Sequence, residues 1–313
     1  MFEIASPEFS LKTTLSSGQS FRWTEHDDPS TRSADSELAR DSASPHPHGA
    51  RLRWHYGFIG SAVLKVRQDG DRLLCDSSDP TLTPNRISHY FALDLPLSEI
   101  LSSINVDIQI HQAIVRYHGL RVLRQDGWET LASFICASFN NIKRIEGMIE
   151  RLCQAYGEPV ALNGFCGFSF PTAQRLARVS ERSLRSLGLG YRAPYLRATA
   201  KLVADGKLPT DHLRCVDYDT TKRALLGCEG VGDKVADCVA LFGFEKYEAF
   251  PIDVWMERAM RYYFRHRKMT RKGLHDYARR HFGPYAGYAQ QYLYHYVRNL
   301  RAAESTKHTA HDQ

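Results

Sequence analysis

The residues best placed to carry chemistry surround a glycine-hinged turn in "GVGDKVADCVALFG", residues 230–243. Four residues recur there at helical spacing and predict the buried stripe of one helix, namely Val235, Cys238, Val239 and Phe242. Gly230 and Gly232 leave backbone N–H groups uncovered just before that helix begins. Such groups at a helix N-terminus stabilise an anion, so we predict a helical hairpin over about residues 222–243 with a phosphate at its turn.

Lys234 falls in the first turn of this predicted helix, where the helix dipole is positive. That field, together with partial burial, favours the neutral amine over the ammonium ion, and a neutral amine is a nucleophile. The alternative interpretation is a surface lysine that contacts phosphate. This stretch alone leaves both interpretations open.

A carboxylate follows on the next loop, in "PIDVWM", where Asp253 lies at the mouth of a second predicted helix. As a structural residue, Asp253 would be an ordinary N-cap of that helix. As a chemical group, it would stabilise positive charge that develops on a reacting sugar near Lys234.

These residues must be positioned by the rest of the chain, whose residue pattern predicts an α+β fold. Residues 1–96 contain turn-bounded segments typical of an antiparallel β-sheet domain. A Ser-, Asp-, Pro- and His-rich stretch at about residues 25–50 lacks apolar periodicity and predicts a disordered insertion. Residues 97–301 show helical periodicity and predict a mostly helical core, and residues 302–313 predict a disordered tail.

Composition favours an intracellular protein with a mildly basic surface. The 313 residues include seven cysteines without CxxC pairing, which suits reduced thiols better than a disulfide framework. The first ten residues lack the regions of a secretory signal, and we expect no membrane association. The net charge is +6, and basic residues outnumber acidic ones most clearly over residues 254–280. That segment fits a phosphate-binding surface or a solvated helical face.

Five segments resemble one known family, in the same order along the chain. They are "SSGQSFRW" (16–23), the stretch 123–153, "LGLGYRAPYL" (187–196), "GVGDKVADC" (230–238) and "GPYAGYAQ" (283–290). With Lys234 followed by Asp253, they resemble the helix-hairpin-helix, Gly-Pro-Asp superfamily of DNA glycosylases. Within it they are most similar to the eukaryotic-type 8-oxoguanine DNA glycosylase/lyases.

The resemblance implies a bifunctional repair enzyme that flips 8-oxoguanine out of duplex DNA, excises it and cleaves the strand by β-elimination. It implies that Lys234 attacks the sugar and forms a Schiff base, while Asp253 stabilises the positively charged sugar. We expect no cofactor and no metal: the iron–sulfur branch needs four cysteines after the hairpin, and Cys238 is the last cysteine here. The expected partner is double-stranded DNA containing oxidised guanine, bound by a monomer in a bacterial cytoplasm or a nucleus.

The resemblance also implies a pocket for the damaged base, formed by Gly18, Cys238, Gln290 and Tyr294. The Gly18 carbonyl would accept the hydrogen that 8-oxoguanine carries at nitrogen 7, where guanine has only an acceptor. Cys238 and Tyr294 would cover the two faces of the base, and Gln290 would bind its Watson–Crick edge. Phenylalanine is usual at the position of Tyr294. The alternative structural interpretations are that Gly18 is only a turn glycine and that Cys238 and Tyr294 are only core residues.

A second group would fill the gap in the duplex and bind the orphan cytosine. Its members are Phe139, Asn140, Asn141, Arg144, Tyr191 and Arg192. By resemblance, Arg144 and Arg192 would bind cytosine and Tyr191 would enter the base stack. Asparagine is usual where this chain has Phe139, and a phenyl ring cannot hydrogen-bond cytosine.

DNA phosphates would lie at Gly230, Gly232 and Trp255. Histidine is usual at the position of Trp255, and proline at that of Glu229. Because a carboxylate at Glu229 repels phosphate, we expect altered DNA affinity.

Two other functions remain open at this point. A monofunctional glycosylase for alkylated bases shares the architecture but lacks the lysine, so Lys234 argues against it. A non-catalytic DNA-binding protein would use the hairpin only to bind phosphate, and the pairing of Lys234 with Asp253 argues against that.

Overall fold

The computed structural model describes residues 1–27, 53–263 and 268–309 and shows an antiparallel sheet beside a helical core. The sheet strands are β1 (Phe2–Ala5), β2 (Thr24–Asp27), β3 (Arg53–Ile59), β4 (Ala62–Asp69) and β5 (Arg72–Ser77). They lie in the order β1-β5-β4-β3-β2, and every neighbouring pair is antiparallel. Two short helices, α1 (Leu11–Ser16) and α2 (Pro84–Tyr90), belong to the same N-terminal part.

Side chains alternate along each strand, so the sheet has two faces, and each face carries an apolar cluster. On one face, Leu64 and Val66 share an apolar cluster with residues of α1 and α2. The other face packs against a two-stranded hairpin of the helical part, formed by β6 (Pro159–Leu162) and β7 (Phe165–Phe168). There the Tyr56 ring stacks on Phe165 with ring centroids 4.9 Å apart. The hairpin thus attaches the sheet to the core.

The helical part follows from residue 97. Its first helices are α3 (Leu97–Ile104), α4 (Ile108–Arg116), α5 (Gly127–Ala137), α6 (Ile142–Tyr156), α7 (Ala173–Ala177) and α8 (Glu181–Leu184). After a π-helical turn (Arg185–Leu189) come α9 (Arg192–Ala204), α10 (Thr210–Cys215), α11 (Tyr218–Leu226), α12 (Asp233–Phe244) and α13 (Val254–Tyr263). The last are α14 (Arg271–Phe282), a 3₁₀ turn (Gly283–Tyr285) and α15 (Ala286–Thr309). One large apolar cluster runs through this part and buries most of α12.

The predicted α+β class is confirmed, and the structure adds detail at two boundaries. Residues 25–27 of the predicted insertion belong to β2, where His26 pairs with Trp54 and Asp27 with Arg53. The rest of the predicted insertion lies outside the described residues. At the other end, α15 continues to Thr309, through most of the segment 302–313 for which we predicted disorder. Within the described ranges, no helix is both long and apolar enough to cross a membrane.

Candidate active site

The predicted hairpin is formed by α11 and α12 and the turn between them. Gly230 has φ +79°, and a Cβ at this position would lie 2.4 Å from Cδ2 of Tyr195. Both facts require glycine, since other residues rarely adopt this conformation and the ring leaves no room. Gly232 is the N-cap of α12 with φ −99°, and no described atom lies within 4 Å of a Cβ built there. The N-terminus of α12 is therefore open to a ligand at the turn.

Lys234 and Asp253 lie at the N-termini of two successive helices that converge on one cavity of about 620 Å³. Lys234 is half-buried in the first turn of α12, and its Nζ lies 5.1 Å from the centroid of the Phe134 ring. Asp253 caps α13, because its Oδ1 accepts a hydrogen bond of 2.7 Å from the Met256 backbone N–H. Asp253 also lines the cavity, and a carboxylate can accept further hydrogen bonds beyond this cap contact.

Tyr294 of α15 shares the electrostatic environment of these two groups. Burial raises the pKa of its hydroxyl, and the Asp253 charge raises that pKa further, whereas the Arg298 and Lys234 charges lower it. A lysine amine, a carboxylate and an aromatic ring therefore line the same cavity, which is large enough for a nucleotide.

A smaller cavity of about 50 Å³ continues inward from the large one and shares Lys234, Asp253 and Tyr294 with it. Cys238, one helical turn beyond Lys234, lies on its wall and is 4% exposed. Burial raises the pKa of the Cys238 thiol to about 11, although the Lys234 charge lowers it. The side chain is thus a neutral thiol near pH 7 and offers an apolar surface to a neighbour.

Gln290 also lines this inner cavity, and its amide is the most informative polar group in the site. The residue is 6% exposed, and its Oε1 has no hydrogen-bond partner among the described residues. An unpaired buried acceptor is costly, so this oxygen at a cavity wall is suited to accept a hydrogen bond from a ligand or a water. With a volume of about 50 Å³ the inner cavity has room for one or two waters, so a base can enter only if the side chains that line it move.

The turn that carries Gly18 lines both the large and the inner cavity. Gly18 has φ +83°, and a Cβ there would lie 3.2 Å from Nη1 of Arg298 and 3.6 Å from Cε1 of Tyr294. The neighbouring Gln19 holds the turn against the core: its Nε2 donates to the Arg121 carbonyl at 2.8 Å, and its Oε1 accepts from the Leu123 N–H at 2.7 Å. A buried side chain thus fixes the backbone at Gly18.

On the far side of α6 lies a second open cavity, of about 510 Å³, beside the loop between α5 and α6. Phe139 stands at its edge with φ +49° and its side chain 99% exposed. Arg144 and Arg192 also line this cavity. Arg192 is only 8% exposed, and its Nε donates to the Ser138 carbonyl at 2.9 Å, so the guanidinium supports the loop.

The remaining predicted residues of this group have local partners. The hydroxyl of Tyr191 donates to the Ser138 carbonyl at 3.1 Å. Asn141 caps α6 by accepting a hydrogen bond of 3.0 Å from the Arg144 N–H, and Asn140 Oδ1 accepts one of 3.1 Å from the Asn141 N–H. Asn140 lines both open cavities and so connects them. The predicted DNA contacts of these residues remain predictions.

The outer rim of the site is basic and aromatic. Trp255 is 49% exposed at the large cavity, and the Arg258 guanidinium lies 5.4 Å from its ring centroid. Further along, Glu257 forms ion pairs with Arg261 at 2.8 Å and Arg271 at 2.6 Å. These hydrogen bonds hold the pKa of Glu257 below its usual value. Part of the positive charge of residues 254–280 is therefore neutralised within the protein. Glu229, in the hairpin turn, is exposed.

Four residues that shape the site were not predicted from the sequence. Phe134 forms the wall beside Lys234, Lys143 and Arg298 line the large cavity, and Gln19 fixes the Gly18 turn. Phe134 lies within the helical stretch recognised from its spacing, but periodicity marks a buried face and not the pocket that the face borders. A polar residue directly after the turn glycine was the available signal for Gln19.

Comparisons with known proteins agree with this geometry. The family model for the 8-oxoguanine DNA glycosylase N-terminal domain matches residues 1–131, and that for the HhH-GPD superfamily of base excision DNA repair proteins matches residues 132–282. The N-glycosylase/DNA lyase of Saccharomyces cerevisiae is 32% identical over 82% of this chain and 68% of its own length. The N-glycosylase/DNA lyase OGG1 of Arabidopsis thaliana is 33% identical over 79% of this chain and 74% of its own.

Among solved structures, the 8-oxoguanine glycosylase/lyase of Clostridium acetobutylicum superposes with a TM-score of 0.82 at 27% identity. The match covers 96% of this chain and 99% of that one, which is bound to double-stranded DNA containing cytosine opposite 8-oxoguanine. The family predicted from the five segments is confirmed. The chain belongs to the N-glycosylase/DNA lyase family, in its 8-oxoguanine DNA glycosylase branch.

Proposed function

We propose that this protein excises 8-oxoguanine from duplex DNA and then cleaves the strand at the resulting site. One observation carries the proposal. Lys234 and Asp253 line a nucleotide-sized cavity and also the smaller inner cavity, where the Oε1 of Gln290 is buried and unpaired among the described residues. An oxidised guanine presents N–H donors on its Watson–Crick edge, which match that acceptor.

The reaction begins at the sugar of the flipped nucleotide. The neutral Lys234 amine attacks C1′, the bond from C1′ to nitrogen 9 breaks, and the base leaves with the bonding electron pair and takes up a proton. The carboxylate of Asp253 stabilises positive charge on the sugar while that bond breaks. The attacking nitrogen then loses one proton, and the bond from C1′ to O4′ breaks as O4′ takes up a proton, which leaves a protonated Schiff base between C1′ and Nζ.

Strand cleavage follows from the Schiff base. The protonated imine acidifies the hydrogen at C2′, a base removes it, and the 3′ phosphate leaves by β-elimination. Water then hydrolyses the imine and frees the Lys234 amine for another turnover. These steps are completed by the chain's own amine and carboxylate together with water.

Recognition of the lesion is assigned to four further residues. The Gly18 carbonyl accepts from the hydrogen at nitrogen 7, and Gln290 reads the Watson–Crick edge. Cys238 and Tyr294 enclose the base. What supports this is that all four line the inner cavity with Lys234. The partner is double-stranded DNA, and we propose that one copy of the chain acts as a monomer on each lesion inside the cell.

Borohydride trapping tests the proposal most directly. The protein is mixed with a duplex carrying 8-oxoguanine opposite cytosine, and reduction should convert the Schiff base into a covalent complex visible on a denaturing gel. Lys234→Gln should abolish the complex. Lys143→Gln, which removes another lysine from the same cavity, is the matched control and should retain it.

Other outcomes separate the alternatives. Base release without trapping would mean a monofunctional glycosylase and a different role for Lys234. Retained DNA binding with neither release nor trapping, on this and on alkylated substrates, would mean a non-catalytic binding protein.

A further inference from the structure

The turn at Gly18 has two of its backbone carbonyls occupied by side chains of the core. The Ser17 carbonyl accepts a hydrogen bond of 3.0 Å from Gln291 Nε2. The Gln19 carbonyl accepts one of 2.7 Å from Gln125 Nε2. The Gly18 carbonyl lies between them in the chain and has no donor within the described ranges. It is therefore the acceptor of this turn that remains for a ligand.

A positive charge lies directly beside this glycine. Nη1 of Arg298, on α15, lies 3.2 Å from the position that a Cβ on Gly18 would take. The side chain is exposed and lines the large cavity together with Lys234. Nη1 donates to the Ser16 carbonyl at 3.5 Å, which is a weak bond, and Arg298 forms no ion pair with any described residue. A guanidinium has five N–H donors, so most of them are available to a ligand.

The order of the two cavities orients the base against these groups. Gln290 lines the inner cavity, Arg298 lines the outer one, and Gly18 lines both. A purine whose Watson–Crick edge lies at Gln290 has its five-membered ring toward the outer cavity, because the two lie at opposite ends of the base. Nitrogen 7 and C8 of that ring therefore lie on the side where Gly18 and Arg298 are adjacent.

We propose that Arg298 is a specificity-determining residue that donates a hydrogen bond to the oxygen on C8 of 8-oxoguanine, while the neighbouring Gly18 carbonyl accepts from nitrogen 7. The proposal rests on the proposed function, because it adds a contact to the same base. It differs in that the lesion's own added oxygen is recognised directly, by a side chain.

The chemistry of the two bases gives the reason. In 8-oxoguanine an N–H donor at nitrogen 7 adjoins a carbonyl acceptor at C8, which matches an acceptor followed by a donor in the protein. Guanine has an acceptor at nitrogen 7 and only a C–H at C8, so neither contact forms. Hydrogen bonds from a charged donor are stronger than neutral ones, but water competes at an exposed side chain. We therefore expect the Arg298 contact to contribute about 3- to 10-fold to discrimination against guanine.

Equilibrium binding tests this contact without any excision. Two duplexes carry 8-oxoguanine or guanine opposite cytosine on a 2′-fluoro sugar, which resists cleavage because fluorine destabilises positive charge on the sugar. Fluorescence anisotropy gives the Kd for each duplex, and the ratio of the guanine Kd to the 8-oxoguanine Kd measures discrimination. Arg298→Met should lower that ratio by about 3- to 10-fold through weaker binding of 8-oxoguanine alone. Arg298→Lys keeps a cationic donor and should retain part of the ratio.

A matched control removes another positive charge from the same cavity. Lys143→Met should leave the ratio unchanged, whatever its effect on overall affinity. If Arg298→Met instead weakens both duplexes equally and lowers the salt dependence of binding by about one counterion, Arg298 binds a phosphate and the proposal is wrong. A ratio that rises would show that Arg298 meets nitrogen 7 of guanine, which also overturns it.

The same measurement separates this contact from the proposed function. A wild-type ratio near one would refute recognition of 8-oxoguanine altogether, and with it this contact. A high wild-type ratio that Arg298→Met leaves unchanged, in a protein that is trapped through Lys234, would refute the Arg298 contact alone and leave the proposed function standing.

Discussion

Replacement of Gln290 by methionine should stabilise the protein and impair the enzyme, and both effects follow from one buried oxygen. The Gln290 side chain is 6% exposed and its Oε1 is unpaired among the described residues. An unpaired buried polar group costs roughly 1–3 kcal/mol. Methionine has a similar length and no such oxygen, so it fills the same space without that cost.

The effect on stability and the effect on activity have separate magnitudes. With a water in the inner cavity offsetting part of the cost, we expect the unfolding free energy to rise by about 1 kcal/mol, or roughly 2 °C in Tm for a chain of this size. If the same oxygen accepts a hydrogen bond from the damaged base, its loss should lower kcat/KM for excision by roughly 5- to 150-fold, corresponding to about 1–3 kcal/mol.

The neighbouring glutamine provides a matched control. Gln291 is 2% exposed, and its Nε2 donates to the Ser17 carbonyl at 3.0 Å. Gln291→Met should therefore lower the unfolding free energy by about 1–3 kcal/mol, because it leaves that carbonyl unpaired in the interior. For both variants, thermal unfolding is monitored by circular dichroism, and the excision rate is measured under single-turnover conditions.

The comparison has a clear refuting result. If Gln290→Met destabilises the protein as much as Gln291→Met and leaves kcat/KM unchanged, then the Gln290 oxygen is a structural group. The inference that a ligand completes its hydrogen bonding would then be wrong.

Three further predictions concern the hairpin, the base pocket and acid stability. Gly230→Ala should lower Tm and weaken DNA binding because a Cβ meets Tyr195 at 2.4 Å, whereas Gly232→Ala should leave Tm within about 1 °C; equal losses of Tm would contradict this. At pH 8, an alkylating reagent should modify the exposed Cys166 and Cys215 but spare Cys238, whose thiol has its pKa raised to about 11 by burial, as peptide mass spectrometry would reveal. Burial lowers the pKa of His295 to about 4 from 6.5, so the unfolded chain binds more protons between these values and stability should fall as pH drops from about 6.5 to 4. His295→Phe should flatten that part of the Tm profile, and a parallel profile would show that other groups cause it.

Much of the site was predictable because its signals are local. The turn glycines, Lys234 and the cap role of Asp253 depend on residues within a few positions, and hydrogen bonding at helix ends follows directly from such short patterns. The same holds for the helices, whose apolar spacing reflects one buried face. The α+β class followed from the change of periodicity near residue 97.

The boundaries of the secondary-structure elements were harder to predict from the sequence, because they depend on strand pairing and not on local composition. Residues 25–27 are as polar as the insertion that follows, yet they form β2 because β3 offers them an antiparallel partner. The segment after residue 301 has little apolar character of its own and continues α15 to Thr309.

The sequence by itself determined which chemistry the protein carries: a lysine at a helix N-terminus, a carboxylate on the next loop, and the order of motifs that marks the family. Only the tertiary structure decided that Gly18, Lys234 and Gln290 meet at one cavity, since they are far apart in the chain. It also decided which polar groups are satisfied. Arg192 supports a loop carbonyl, while the oxygen of Gln290 lacks a partner among the described residues. Burial and hydrogen-bond pairing are properties of residues that the fold brings together, so no local pattern can specify them.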